Sequence, residues 1–141
     1  MRSKVLFLLL IMLSNLSLFG QSPIGTWETI DDKTGLAKSH VEIYEQDGVL
    51  QGKIVKLINR DPDVVCHKCK GKLKGKPVVG LHIINDMKQD GAKWNGGKIL
   101  DPQNGNVYKC IIWLDKKNPN KLKVRGKHWT GIYRTQTWNR I

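Results

Sequence analysis

Two cysteines three positions apart are the residues of this chain best suited to chemistry. Cys66 and Cys69 enclose His67 and Lys68, and such a pair can form a disulfide, cycle between thiol and disulfide, or give two ligands to zinc. A catalytic redox pair typically needs a helix that stabilises the first thiolate. Because residues 70–77 have no helix-like apolar face, redox activity is the weaker interpretation.

A metal site is the other alternative to a disulfide. Structural zinc usually takes four ligands, so Cys110 and a histidine, His67 or His82, would have to join Cys66 and Cys69. The sequence holds no second closely spaced pair of such residues, so we predict no metal and no other cofactor. In an oxidising compartment the pair is most simply a disulfide. Cys110 lies in an apolar run and is predicted to be a small buried side chain.

No combination of nucleophile, base and orienting residue stands out elsewhere. Asp31 and Asp32 fall in a predicted turn, where aspartate side chains commonly bind the backbone. His40, Glu42 and Tyr44 alternate along one face of a predicted strand, which is typical of a solvated face. Glycine-rich phosphate loops and Gly-x-Ser-x-Gly motifs are missing from the sequence. We therefore predict no catalytic residues and a protein that is not an enzyme.

The first twenty residues have the layout of a secretory signal peptide. Arg2 and Lys4 precede an apolar run at 5–13, and small and polar residues follow up to Gly20. The run is short for a bilayer core of roughly 30 Å, which takes about 20 residues to cross. We predict a signal peptide over 1–20 and export to the periplasm or beyond the cell. The mature chain, 21–141, is then one domain that does not span the membrane, and we expect a monomer.

The composition bounds the class of protein. A chain of 141 residues holds one domain, or one domain with a targeting segment, and is too small for a large multi-site enzyme. Hydrophobic residues make up 40% and charged residues 26%, which argues against a disordered chain. A single uninterrupted apolar run excludes a membrane protein of several helices.

Basic residues outnumber acidic ones by 24 to 12, which gives a formal charge of +12. Such a surface attracts phosphate groups, anionic lipid or nucleic acid. Export makes nucleic acid an improbable partner, so the alternative partner is an anionic component of the cell envelope, bound through the segment 68–76. The basic clusters are Lys68, Lys70, Lys72, Lys74 and Lys76, and then Lys121, Lys123, Arg125 and Lys127.

Short strands separated by turns account for the mature chain. Residues 121–127 alternate basic and mostly apolar side chains, the period of a half-buried strand. Asp-Gly pairs at 47–48 and 90–91 suit tight hairpins. Hairpin-linked strands lose their exposed edges most simply by closing into a barrel, with a β-sandwich as the alternative. We predict eight strands at about 25–30, 38–45, 49–58, 78–84, 92–100, 106–114, 120–127 and 132–140, with a long loop over 59–77.

Large aromatic residues would fill much of a small barrel. The five tryptophans are Trp27, Trp94, Trp113, Trp129 and Trp138. If the barrel encloses a cavity, aromatic side chains should also line it. The candidate lining residues are Trp94, Tyr108, Trp113 and Trp138.

The start of the first predicted strand resembles a known barrel motif. Gly25, Thr26 and Trp27 resemble the Gly-x-Trp that opens the lipocalin and wider calycin barrels. In those barrels the tryptophan packs across the closed end beneath an arginine of the last strand, a cation–π contact. The resemblance implies a barrel end built from Gly25, Trp27 and Arg134, with Arg140 as the alternative arginine.

Further segments resemble the bacterial family known as domain of unknown function 2147, exported proteins expected to form a calycin-like barrel. The resemblance covers nearly the whole mature chain, yet it brings no catalytic or ligand-binding residues with it. Because barrel mouths commonly form ligand pockets, we predict an exported, non-enzymatic barrel that binds a small apolar or amphipathic molecule. The matching segments are 25–27, 41–44, 52–55, 77–81, 94–102, 122–126 and 134–138.

Overall fold

Eight antiparallel strands follow one another around a closed β-barrel in chain order, and the last pairs with the first. The computed structural model describes residues 21–141, so the predicted signal peptide lies outside the described residues. The predicted all-β barrel is confirmed, and the sandwich alternative is wrong because all strands share one sheet. The strands are β1 (Gly25–Ile30), β2 (Ala37–Gln46), β3 (Val49–Leu57), β4 (His82–Asp90), β5 (Lys93–Asp101), β6 (Asn106–Leu114), β7 (Lys121–Lys127) and β8 (Tyr133–Arg140).

The long loop between β3 and β4 is confirmed, and it extends further than predicted. Val78 and Leu81 are buried in the hydrophobic core, but both belong to the loop and precede β4. Gly80 interrupts the extended chain with a φ of 93°, and its N–H donates to the Ile54 carbonyl at 2.7 Å. The apolar run at 78–84 therefore indicated burial correctly and strand position wrongly.

Side-chain alternation separates a basic outer face from an apolar interior along β7. Leu122 and Val124 point inward and are buried, as the period of two predicts. The basic residues between them face outward, where Lys123 donates to Thr137 at 2.8 Å and Arg125 to Thr135 at 2.8 Å. The predicted outward basic row is thus a solvated sheet face.

Antiparallel order divides the connections between the two ends of the barrel. The end near Trp27 is called the closed end, and the opposite end is called the mouth. The closed end carries residues 21–24 and the turns 47–48, 91–92 and 115–120. The mouth carries the four mouth loops, 31–36, 58–81, 102–105 and 128–132.

One short 3-10 turn, Gly71–Leu73, lies within the loop that joins β3 to β4. Within residues 21–141, no helix has the length and apolar character needed to cross a bilayer.

Candidate functional site

A tryptophan and an arginine seal the closed end. Trp27 is fully buried, and its Nε1 donates to the Pro23 carbonyl at 2.7 Å. The guanidinium carbon of Arg140 lies 4.2 Å from the centre of the Trp27 ring. The same guanidinium donates to the Ile24 carbonyl at 3.0 Å and the Ser22 carbonyl at 2.9 Å. The chain before β1 is therefore tied across the barrel base by charged hydrogen bonds and a cation–π contact.

The arginine over Trp27 is Arg140, the alternative, so the assignment of Arg134 to this end is wrong. Both arginines lie on the inward face of β8, six residues apart, which is about 20 Å along a strand. Arg134 lies at the mouth, where its Nε is 3.2 Å from a carboxylate oxygen of Asp32. Gly25 lies where expected: its φ is 138°, and an added Cβ would come within 2.9 Å of the Arg140 guanidinium.

The half of the barrel nearer the mouth is hollow. A cavity of about 390 Å³ lies between the strands and opens among the mouth loops. Its walls are mainly apolar side chains that the strand period turns inward. They include Ile54 of β3, Ile83 of β4, Ile99 of β5 and Val124 of β7.

Two of the four predicted aromatic lining residues reach this cavity. Tyr108 and Trp138 line it, whereas Trp94 and Trp113 do not. Trp94 is half-buried and packs against the hydrophobic core. Trp113 faces outward on β6, because the buried Ile112 beside it takes the inward position.

The outward position of Trp113 places its ring beneath two cations. The Lys93 ammonium lies 4.8 Å from the ring centre, and the Arg125 guanidinium carbon lies 5.0 Å from it. The ring is therefore part of the outer sheet face, where cation–π contacts hold it.

A line of polar side chains runs from the cavity wall to the mouth. The indole Nε1 of Trp138 donates to Gln136 at 3.1 Å, and Gln136 donates to Asp32 at 2.9 Å. Asp32 also forms an ion pair with Arg134. Sequence reasoning overlooked Gln136, although its place two residues before Trp138 puts both on the same strand face. These groups give the mouth side of the cavity a polar lining of linked hydrogen-bond donors and acceptors.

A second polar feature lies in the cavity wall itself. The hydroxyls of Thr29 on β1 and Ser39 on β2 are buried and lie 2.7 Å apart, so they share one hydrogen bond. One hydroxyl hydrogen serves that bond, and the other is free to donate to a polar ligand atom. The register pairs these two residues directly across β1 and β2. Sequence alone gave no signal for them, because isolated serine and threonine residues are common on strands.

The predicted disulfide between Cys66 and Cys69 is present, and both residues are buried. Cys66 lies against the turn between β5 and β6, with its sulfur 3.6 Å from the Pro102 carbonyl. Gly105 packs so tightly on this loop that an added Cβ would collide with the carbonyl oxygen of Lys68. The segment closed by the disulfide therefore packs directly on the neighbouring 102–105 loop.

The zinc arrangement considered for the cysteines is not assembled in the described residues. Within residues 21–141, no three histidine, cysteine or acidic side chains come together as metal ligands. Cys110 is buried in the core outside the disulfide, and burial raises the pKa of its thiol to about 12. His67 is exposed on the loop, and His82 hydrogen-bonds to the Tyr44 hydroxyl at 2.6 Å.

Asp31 fixes the loop that carries Asp32. Its carboxylate accepts the backbone N–H groups of Lys33 and Thr34, both at 2.9 Å. These two hydrogen bonds, first Thr34 and then Lys33, lower the pKa of the Asp31 carboxyl from its ordinary value. The predicted turn role of this residue agrees with the geometry.

A solved structure from Helicobacter pylori shares the fold. Protein HP1028 of that human pathogen, described as belonging to the lipocalin family, superposes with a TM-score of 0.74. The match covers 86% of this chain and 84% of that chain at 17% sequence identity. At that identity the likeness shows the lipocalin-like barrel and carries no residue roles.

A search of curated proteins gives no match to this sequence. The bacterial family described as "Uncharacterized protein conserved in bacteria (DUF2147)" matches residues 25–140. That span runs from the first residue of β1 to the last of β8, and so includes Trp27, Arg140, the cavity and the disulfide loop. The chain belongs to the DUF2147 family, with a lipocalin-like barrel as its fold.

Proposed function

We propose that this protein is a binding protein whose cavity holds one small apolar or amphipathic molecule without altering it chemically. The observation that supports the proposal is a cavity of about 390 Å³ with apolar walls, open at the mouth. Cavities of about 300–1,000 Å³ with a few polar groups are typical small-molecule sites. The proposal assigns no catalytic residue, and the active form is a monomer with one site.

The distribution of side chains sets the orientation of the guest. Ile54, Ile83 and Val124 form apolar wall, which favours an apolar body inside the barrel. Gln136 and Arg134 lie towards the mouth, where a polar group can exchange hydrogen bonds with them or with water. A molecule with an apolar body and a polar end therefore enters apolar end first.

Filling the cavity tests this function. Ile99 lines the cavity, and Ile99→Trp would occupy space that the guest needs. We expect the variant to bind an amphipathic fluorescent probe, anilinonaphthalene sulfonate, at least about tenfold more weakly, a loss of roughly 1.4 kcal/mol. Val55→Trp is the control, because Val55 lies on the exposed outer face of β3.

Native mass spectrometry of the purified wild-type protein, followed by solvent extraction, should show one retained small molecule per monomer. Circular dichroism and denaturation would establish that both variants fold. Equal probe affinity in Ile99→Trp and Val55→Trp, or a wild-type protein that retains no guest and binds no probe, would overturn the proposal.

We also propose that the protein works outside the cytoplasm. The layout of residues 1–20 supports export, and the Cys66–Cys69 disulfide suits an oxidising compartment. Cell fractionation and N-terminal sequencing provide the test, with a mature chain beginning at Gln21 as the expected result. A protein that keeps residues 1–20 and stays in the cytoplasm would contradict the proposal.

A further inference from the structure

Exposed apolar side chains are concentrated on the loops that surround the mouth. Trp129 is 87% exposed and Leu36 is 64% exposed, although such residues are usually buried. Ile132, on the same loop as Trp129, is 75% exposed. These side chains come from two different mouth loops beside the opening, and tryptophan is the residue that membrane proteins favour at the interface between lipid and water.

The loop that presents Trp129 has a defined shape. The His128 N–H donates to the Ile132 carbonyl at 2.8 Å, and the Gly131 N–H donates to the His128 carbonyl at 2.9 Å. The Trp129 ring lies 5.4 Å from the His128 ring, and most of its surface is in solvent. A tight turn therefore holds an indole outward, and binding through that indole costs little ordering of the backbone.

Positive charge is concentrated at the same end. The four mouth loops carry seven basic and four acidic residues, whereas the three closed-end turns carry two of each. Between residues 66 and 76 there are five lysines, all exposed, and no acidic residue. This segment packs on the 102–105 loop at Pro102 and Gly105, so its lysines share the end that presents Trp129.

We propose that the mouth docks on an anionic lipid bilayer. Trp129 and Leu36 enter the headgroup region, and the lysines of 68–76 contact lipid phosphates. An apolar tip with basic neighbours is complementary to a negatively charged bilayer, since one part suits the interface and the other its surface potential. The opening of the cavity then faces the membrane. A consequence that rests on the proposed function is that the guest passes between bilayer and cavity without crossing bulk water.

Vesicle flotation of the mature protein tests docking. Vesicles of phosphatidylcholine with 30% phosphatidylglycerol should carry the protein, and vesicles of phosphatidylcholine alone should carry little. Binding should fall steeply as salt is raised from about 0.1 to 0.5 M, because screening weakens contacts between exposed charges. Binding that does not depend on lipid charge, or that does not fall as salt is raised, would contradict the proposal.

Two matched pairs of variants identify the surface. Leu36→Ser should weaken vesicle binding at least fivefold, whereas Ile141→Ser, which alters a 58% exposed side chain at the closed end, should leave it unchanged. Lys72→Gln with Lys74→Gln should weaken it similarly, whereas Lys116→Gln with Lys117→Gln, the same change of charge at the closed end, should not. Equal effects within both pairs would overturn the proposal, as would a wild-type protein that ignores anionic vesicles and instead binds a protein through these residues.

Probe transfer separates docking from ligand binding. Protein loaded with the fluorescent probe should release it to anionic vesicles at a rate that rises with vesicle concentration, and Trp129→Ser should remove that dependence. A protein that floats but binds no probe refutes the proposed function and leaves docking standing. A protein that binds the probe but does not float refutes docking and leaves the proposed function standing.

Discussion

Arg140 joins the start of the domain to its end. Its guanidinium covers the Trp27 ring and donates to carbonyls of the chain that precedes β1. It also reaches the Pro119 carbonyl, at 3.4 Å, in the turn between β6 and β7. One planar group with several fixed donors can satisfy all these partners at once, which an ammonium could not.

Replacing Arg140 should therefore destabilise the barrel. We expect Arg140→Ala to lower the free energy of unfolding by about 1–3 kcal/mol, because a cation–π contact is lost and carbonyls lose a charged donor. Chemical denaturation monitored by tryptophan fluorescence measures the effect. Arg134→Ala is the matched control: its ion pair with Asp32 is exposed, so a change within about 0.5 kcal/mol is expected. Equal losses in the two variants would contradict this role for Arg140.

The two arginines also show what residue-level prediction can achieve. The period of two in β8 places Arg134, Gln136, Trp138 and Arg140 on one face, and the sequence is sufficient for that. It does not give the height of each residue in the barrel, which depends on the register that pairs Trp27 with Arg140. The same period explains Trp113, since Cys110 and Ile112 are buried and residue 113 must face outward.

At the scale of the elements, the largest mouth loop behaves as a folded unit attached to the barrel. Val65 pairs with Pro77, and the Cys66 N–H donates to the Lys76 carbonyl at 2.8 Å. These backbone contacts close a compact hairpin-like segment, and the disulfide between residues 66 and 69 lies within it. Its position could be predicted only as a long loop, because no strand period marks where it docks.

Removing the disulfide should loosen that loop more than the barrel. For Cys66→Ser with Cys69→Ser we expect faster amide hydrogen exchange in residues 64–78 and little change in β6 and β7. The chain-entropy formula for so short a loop gives a loss of at most roughly 2 kcal/mol in global stability. Hydrogen exchange followed by mass spectrometry is the measurement. Unchanged exchange in the loop would show that its packing on Gly105, and not the disulfide, holds it.

The loop between β1 and β2 should respond to acid. The pKa of Asp31 is lowered because its carboxylate accepts two backbone N–H groups, so the charged form is favoured in the folded state. Its contribution to stability is present above the ordinary value of about 3.9 and is lost as the pH falls through the lowered pKa.

An NMR titration of the Asp31 carboxyl carbon measures that pKa directly. We expect a titration midpoint below the ordinary aspartate pKa of about 3.9. We also expect Asp31→Asn to lose stability less steeply in acid than the wild-type protein. A midpoint at or above the ordinary value would contradict the hydrogen-bonding pattern.

For the whole molecule, the sequence is sufficient for the barrel and its strand order but not for its interior. Turn signals such as Asp47 and Gly48, with φ values of 53° and 80°, mark a hairpin by local chemistry alone. The predicted position of the fourth strand, 78–84, is wrong because Val78 and Leu81 are buried from a loop. Apolar content indicates burial but does not indicate strand geometry. The cavity exists because some inward side chains are too short to meet across the barrel. That depends on which residues face each other in three dimensions, and no local sequence pattern contains this information.

The junction of β1 and β8 is uneven along its length. Its backbone register covers Trp27 and Glu28 near the closed end, whereas β7 and β8 are paired from Lys121 to Lys127. Towards the mouth, side chains take over, since Asp32 binds Gln136 and Arg134 across the gap. Beside the cavity, the junction of β1 and β8 is therefore bridged by side-chain contacts in place of backbone hydrogen bonds. Widening at this junction would break side-chain contacts and spare the backbone hydrogen bonds of the other strand pairs, so under the proposed function a bulky guest would enter there at the lowest cost.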